Sequence, residues 1–272
     1  MKIFVDSADL EEIRQSYAWG VADGVTTNPS LLKKAVEKRS QSGEKVDLKT
    51  YISRILEMAD GTPVSLEVTE FTAAGMIEQG RRLHALFNGV AGNVYIKIPV
   101  NPAFKEADAT HFDGIAAIRA LTAAGIPVNT TLIFTPEQAL LAAKAGASFL
   151  SPFAGRIDDD LRKRAGIAFD KSDYYPAEGL SVNDEDLEDT GIVSGIDLVE
   201  QCVEIVERYD LEAEVLAASL RNPRQVREAA LAGAHIATLP FGVLADMLKH
   251  RKTYEGMELF TADVVPEYAE LG

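Results

Sequence analysis

This sequence predicts a single α/β domain, a (β/α)8 TIM barrel spanning residues 1–272. Short apolar runs alternate with helix-period segments along nearly the whole chain. The alternation repeats eight times, as a closed parallel barrel requires. The G-x-G-x-x-G fingerprint of a dinucleotide-binding sheet is absent after the first run, which ranks an open doubly wound sheet second.

Lys2–Asp6 (KIFVD) reads as the first strand and Asp9 to about Trp19 as the first helix. Gly24–Thr27 is a short second strand, and Asn28-Pro29-Ser30 opens a helix with capping chemistry. Another helix covers Lys45 to about Asp60. Pro63–Val68 is the third strand, with Ala73–Phe87 its helix. Asn93–Ile98 is the fourth: Val94, Ile96 and Ile98 face one way, Tyr95 and Lys97 the other, and Pro99 stops it. Phe112–Ala124 is helical and ends at Gly125. Pro127–Ile133 is the fifth strand, and Thr135-Pro136 caps the next helix. Ser148–Phe153, Glu214–Ser219 and His235–Leu239 are the sixth, seventh and eighth strands. Asn222-Pro223 and Phe241–Lys249 begin the last helices. One stretch breaks the rhythm. Arg156 to about Ser194 is long, acidic and irregular, and its place after strand six puts it at the barrel's active mouth. The tail from Thr253 to Gly272 is less regular and is expected to cover the barrel or a neighbouring subunit.

The chain is 47% hydrophobic, enough for a large core, and carries a formal net charge of −15. Such a surface repels phosphate backbones, so nucleic acid is not an expected partner. A phosphorylated substrate would need a local basic pocket. Cys202, the single cysteine, permits no internal disulfide and fits a reducing cytoplasm. Its helical run LVEQCVEIVERY places it in the core. The opening MKIFVDSADL reads as a strand rather than a targeting signal. No apolar run is long enough to span a bilayer, so no membrane partner is expected. The histidines, His84, His111, His235 and His250, are scattered, and no metal or other cofactor is expected.

In a barrel the chemistry sits at the carboxyl ends of the strands. Those ends carry Asp6, Thr27-Asn28, Glu67, Lys97, Asn129 with Thr131, Ser151 with Arg156, and Ser219 with Arg221. Asn129 and Thr131 are two apart and share a strand face. Each residue alone has a plain reading. Asp6 and Asn28 could cap helices, Thr131 is an ordinary strand former, Ser151 could sit in a turn, and the arginines could be solvated. A strand lysine could pack its stem and reach water with its head. Burial of Lys97 would instead disfavour the ammonium, leaving an amine able to form a Schiff base with a ketone. So many polar groups converging on one lysine favour a site over packing.

Seven pieces make the pattern specific: VDSAD, GVTTNPSL, VSLEV, YIKIP, GIPVNTTLIF, AGASFLSPFAGRI and AASLRN. They run from the first strand to the end of the seventh, and together they resemble the transaldolases. YYPAEG in the long stretch is also similar to the insertion of longer members. The resemblance implies metal-free class I aldol chemistry on sugar phosphates of the pentose phosphate pathway. It implies that Lys97 forms the Schiff base, with Asp6 as acid/base at the C4 hydroxyl. Glu67, through a water with Thr131, would move protons. Asn28 and Asn129 would hold hydroxyls of the retained three-carbon unit. Arg156, Ser219 and Arg221 would hold phosphate, with Ser151 nearby and Phe153 lining the site. Asp6 should then have a raised pKa. The chain is further expected to form a homo-oligomer.

The fructose-6-phosphate aldolases resemble the same scaffold. By that resemblance they carry glutamine in place of Glu67 and tyrosine in place of Phe153, so both positions here side with transaldolase. The chain departs from the pattern in its start at the first strand and in an added loop, NPAFKEADATHFD, after Pro99. A barrel that binds without catalysing is the remaining alternative, opposed by the intact set of polar strand ends.

Overall fold

The computed structural model describes residues 1–41, 43 and 45–271. The elements run β1 (Lys2–Asp6), α1 (Leu10–Ala18), β2 (Gly24–Thr26), α2 (Pro29–Gln41), α3 (Leu48–Met58), β3 (Val64–Glu67) and α4 (Ala73–Ala91). They continue β4 (Val94–Pro99), α5 (Asp113–Thr122), β5 (Val128–Ile133), α6 (Pro136–Lys144), β6 (Phe149–Pro152) and α7 (Ala154–Arg164). A small antiparallel hairpin follows, β7 (Ser181–Val182) and β8 (Glu185–Asp186). The chain finishes α8 (Gly195–Arg208), β9 (Glu214–Ala217), α9 (Pro223–Leu231), β10 (Ile236–Leu239), α10 (Phe241–Asp246), α11 (Arg251–Ala262) and α12 (Pro266–Ala269). Strands β1–β6, β9 and β10 form a closed barrel in which β10 pairs with β1, so the predicted (β/α)8 architecture is present.

Local chemistry sets the boundaries. Asp9 caps α1 by accepting from the backbone N–H groups of Glu11 and Glu12. Thr72, Thr135, Ser194 and Asn222 cap α4, α6, α8 and α9 in the same way, each such bond contributing about 1 kcal/mol. Pro136 and Pro223 occupy first-turn positions where no N–H is needed. Gly92 ends α4 with a left-handed φ of 69°.

Strand alternation divides the interior in two. Val94, Ile96 and Ile98 join the large core between strands and helices, with Ile13, Ile55 and Leu121. The inward face builds a second cluster of Phe4, Phe149, Phe153, Leu216, Ala218 and Ile236. Tyr95 stacks on Phe149 at 4.7 Å, and Phe4 meets Phe149 edge-on at 5.7 Å. These rings fill the barrel below Lys97, so polar groups are confined to its carboxyl end.

Two expectations are corrected. The run read as irregular from Arg156 begins inside a helix, α7, whose apolar stripe of Ile157 and Leu161 is buried. Its interleaved charges hid that stripe, because Asp158, Asp159 and Arg162 are buried as well. The irregular segment is therefore 165–194 with its hairpin. The tail from Thr253, read as less regular, is helical through most of α11 and again in α12, and Gly272 lies outside the described residues. Among the described residues no helix is long and apolar enough to cross a membrane.

Candidate active site

Lys97 lies on β4, in register with Glu67 on β3 and Asn129 on β5. It is 6% exposed. A buried ammonium needs partners, and two are present. Glu67 Oε2 is 3.1 Å from Lys97 Nζ, and the carbonyl of Thr27 accepts from it at 3.3 Å. The snorkelling alternative fails, because the amine ends inside the barrel mouth.

Asp6 does not cap α1; Asp9 does. Asp6 instead accepts from Thr26 Oγ1 at 2.8 Å, and Thr26 shares a second hydrogen bond with Thr238. Burial holds the Asp6 carboxyl above its ordinary value. The positive charge of Lys97, the Thr26 bond and the charge of Arg156 pull it down without cancelling that rise. Asn129 is buried, donating to Ser65 Oγ at 2.9 Å and accepting from Ser151 Oγ at 2.7 Å. Its amide is thus locked in orientation. Asn28 Oδ1 accepts from Leu31 N at 3.0 Å, which satisfies the capping reading, and among the described residues its amide N–H groups have no partner.

Asp6, Asn28, Lys97, Asn129, Ser151, Phe153, Arg156, Ser219 and Arg221 line one pocket of about 210 Å³. Glu67 and Thr131 do not line it, though Glu67 reaches it through Lys97. Among the described residues the buried Thr131 Oγ1 has no hydrogen-bond partner, an arrangement suited to a bridging water. Thr131 is turned by a bulge in β5: the register shifts between Thr130 and Ile133, and Leu132 takes a left-handed φ of 59°.

The basic end is built from α7 and the turn after β9. Arg156 sits with its guanidinium 4.8 Å above the Phe153 ring. Arg221 pairs with Asp159 at 3.0 Å, and its backbone N–H donates to Gln225 Oε1 at 2.7 Å. Gln225 in turn donates to buried Asp158 at 2.6 Å, whose carboxyl burial pushes up to about 7. Ser219 has φ 63°, a left-handed conformation for a non-glycine residue, at the point where the chain leaves the barrel. Gly155 permits that turn to close on α7, since a Cβ there would lie 2.2 Å from the Ser219 carbonyl oxygen.

Ser151 lines the same pocket as Arg156, Ser219 and Arg221, and its hydroxyl donates to Asn129 Oδ1. Sequence reasoning missed Thr26, Thr238 and Lys171, all of which line the pocket. Thr27 was read with Asn28 as the end of the second strand, but its hydroxyl bonds the Ser65 carbonyl and only its own carbonyl meets the lysine. Parity with Asn28, two residues on, could have selected Thr26. Lys171 has no signal in strand pattern, because it comes from the long segment after α7.

The model of the family described as "Transaldolase/Fructose-6-phosphate aldolase" matches residues 3–270. A probable transaldolase of Chlorobium phaeobacteroides (strain BS1) is 41% identical over 263 residues, covering 97% of each chain. A probable transaldolase of Aquifex aeolicus (strain VF5) is 39% identical over 269 residues, covering 98% of this chain and 99% of the relative.

Proposed function

This chain belongs to the transaldolase/fructose-6-phosphate aldolase family of enzymes, and from that premise we propose that it transfers a dihydroxyacetone unit between sugar phosphates through a Schiff base on Lys97. The donor is fructose 6-phosphate or sedoheptulose 7-phosphate. The acceptor is erythrose 4-phosphate or glyceraldehyde 3-phosphate, as in the pentose phosphate pathway of the cytoplasm. The observation that carries this reading is a buried amine 3.1 Å from Glu67 in a pocket shared with Asp6.

Lys97 gives a proton to Glu67, and its Nζ, now a neutral amine, adds to the C2 carbonyl of the ketose. Glu67, with Thr131 and a bridging water, supplies and removes the protons that let water leave and the iminium form. Asp6 takes the proton of the C4 hydroxyl. The C3–C4 bond then breaks, and its electron pair flows into the iminium to leave an enamine on Lys97. The aldose phosphate departs. A second aldose phosphate is attacked at its aldehyde carbon, Asp6 returns the proton, and water releases the new ketose. Asn28 and the locked amide of Asn129 hold hydroxyls of the retained unit. Ser219, Arg156 and Arg221 hold phosphate, with guanidiniums suited to its geometry. Arg156 and Arg221 also offset the repulsion that a chain of net charge −15 exerts on an anion.

The second reading, release of free dihydroxyacetone, is disfavoured by Phe153. Its ring lines the pocket without a hydroxyl to protonate the enamine carbon.

We also read the chain as assembling with copies of itself. Helix α11 has no buried residue and leaves Tyr254, Met257, Leu259 and Phe260 exposed. Analytical ultracentrifugation at micromolar concentration should show an oligomer, and a monomer would remove this reading.

Three outcomes test the chemistry. Borohydride added with fructose 6-phosphate should trap a mass adduct on Lys97. Lys97→Ala should lose the adduct and all turnover while keeping its circular dichroism; an adduct elsewhere would overturn the assignment. Because burial raises the Asp6 pKa, the acid limb of the kcat/KM profile should lie above the ordinary carboxylate range. Thr26→Val removes a bond that stabilises the carboxylate, so the limb should move to still higher pH; an unmoved limb would count against Asp6 as the base. Phe153→Tyr should raise dihydroxyacetone release without acceptor by about tenfold, read by a coupled assay.

A further inference from the structure

Lys171 belongs to the segment between α7 and α8, yet it lines the pocket beside residues from the barrel itself. The turn that carries it is clamped on both sides. Asp170 N donates to Asp173 Oδ2 at 2.8 Å, closing the turn. Asn222 Nδ2, just before α9, donates to the Ser172 carbonyl at 3.2 Å. Arg162 Nη2, on α7, donates to the Asp173 carbonyl at 3.3 Å. The flanking rings hold it further. Arg162 lies over Phe169 at 4.3 Å and over Tyr175 at 5.3 Å. Arg224 lies 3.5 Å above Tyr174, whose hydroxyl donates to Glu228 at 2.8 Å. The segment is therefore fastened to α7 and to the start of α9, the elements that position Arg156 and Arg221.

A second pocket of about 530 Å³ adjoins the first, and both are lined by Arg156, Lys171 and Arg221. The three side chains common to both pockets are all cationic, while Asp159, Asp160 and Asp189 line the second pocket alone. Arg221 already shares its charge with Asp159. Lys171 makes no hydrogen bond or ion pair among the described residues. An exposed lysine without a carboxylate partner, on a turn fixed by seven contacts, is placed to meet an anion.

Resting on the transaldolase reading above, we propose that Lys171 is a specificity-determining residue: a loop-borne third cation that binds the substrate's phosphate with Arg156 and Arg221. A phosphate dianion offers three acceptor oxygens, and two arginines with one already paired leave acceptor capacity for an ammonium. The long segment thereby selects phosphorylated over unphosphorylated sugars without touching the reacting carbons.

The test compares Lys171→Met and Lys171→Arg with the unaltered enzyme. In Lys171→Met, KM for fructose 6-phosphate and the competitive inhibition constant of inorganic phosphate should both rise about tenfold, as expected for a charged hydrogen bond lost. Its kcat should change less than about twofold, since no interaction with the reacting atoms is removed. Lys171→Arg should retain most of the phosphate affinity. Unchanged KM and inhibition constants in Lys171→Met overturn the proposal. So do equal losses in both variants, which would assign the effect to loop geometry instead of charge. Calorimetric binding of inorganic phosphate to each variant reads the same contact without turnover. If borohydride traps nothing on Lys97 of the unaltered enzyme, the transaldolase reading fails; a phosphate affinity that still falls in Lys171→Met would leave the anion site standing.

Discussion

The ion pair between Lys97 and Glu67 sets the terms for the rest of the mouth of this barrel. An ammonium 6% exposed would be costly alone, and removing one member of such a pair typically costs about 3–5 kcal/mol. Glu67 at 3.1 Å and the Thr27 carbonyl at 3.3 Å supply what water would otherwise give. Around that centre the polar groups are held by one another. Ser65 and Ser151 hold Asn129, and Thr26 with Thr238 holds the side of Asp6. Below them Tyr95 stacked on Phe149, with Phe4 edge-on to the same ring, gives the polar layer an apolar base. Orientation is thus bought before any ligand arrives, which is how a site lowers the cost of aligning reacting groups.

The pocket has two chemically distinct ends. Near the amine, burial dominates, and a carboxyl such as Asp6 stays above its ordinary pKa despite a lysine and an arginine close by. At the other end, basic side chains reach toward solvent and are steered by acids behind them. Asp159 grips the Arg221 guanidinium, while Asp158 acts on its backbone through Gln225. The two ends are joined by Phe153, whose ring faces the pocket and carries Arg156 above it. A strongly acidic protein can in this way present a locally positive cleft, because electrostatic fields at short range follow the nearest charges and not the net sum.

Much of this arrangement was legible from strand ends. Asp6, Asn28, Lys97, Asn129, Ser151, Ser219 and Arg221 were each identifiable from a position at the end of an apolar run, and they meet in one pocket. Two local features were not legible. Helix α7 was hidden because Asp158, Asp159 and Arg162 are buried among its apolar residues Ile157 and Leu161, and their partners lie elsewhere in the chain. Strand β5 looks regular in sequence, but the left-handed Leu132 shifts its register. Ile133 then packs in the outer core, and Phe134 turns against the inner cluster.

Local pattern by itself determined the alternation of strands and helices, the caps that start the helices, and which face of each strand looks inward. These follow from side-chain period and from hydrogen bonding within a few residues. Tertiary structure alone decided that Glu67 meets Lys97 directly, that Ser151 serves Asn129, and that Lys171 joins the cleft. Ser151 and Asn129 are 22 positions apart and Glu67 and Lys97 about 30, while Lys171 shares the pocket with Lys97 from about 74 positions further along the chain. Closing the barrel brings such segments together, and no local period in the chain encodes that distance.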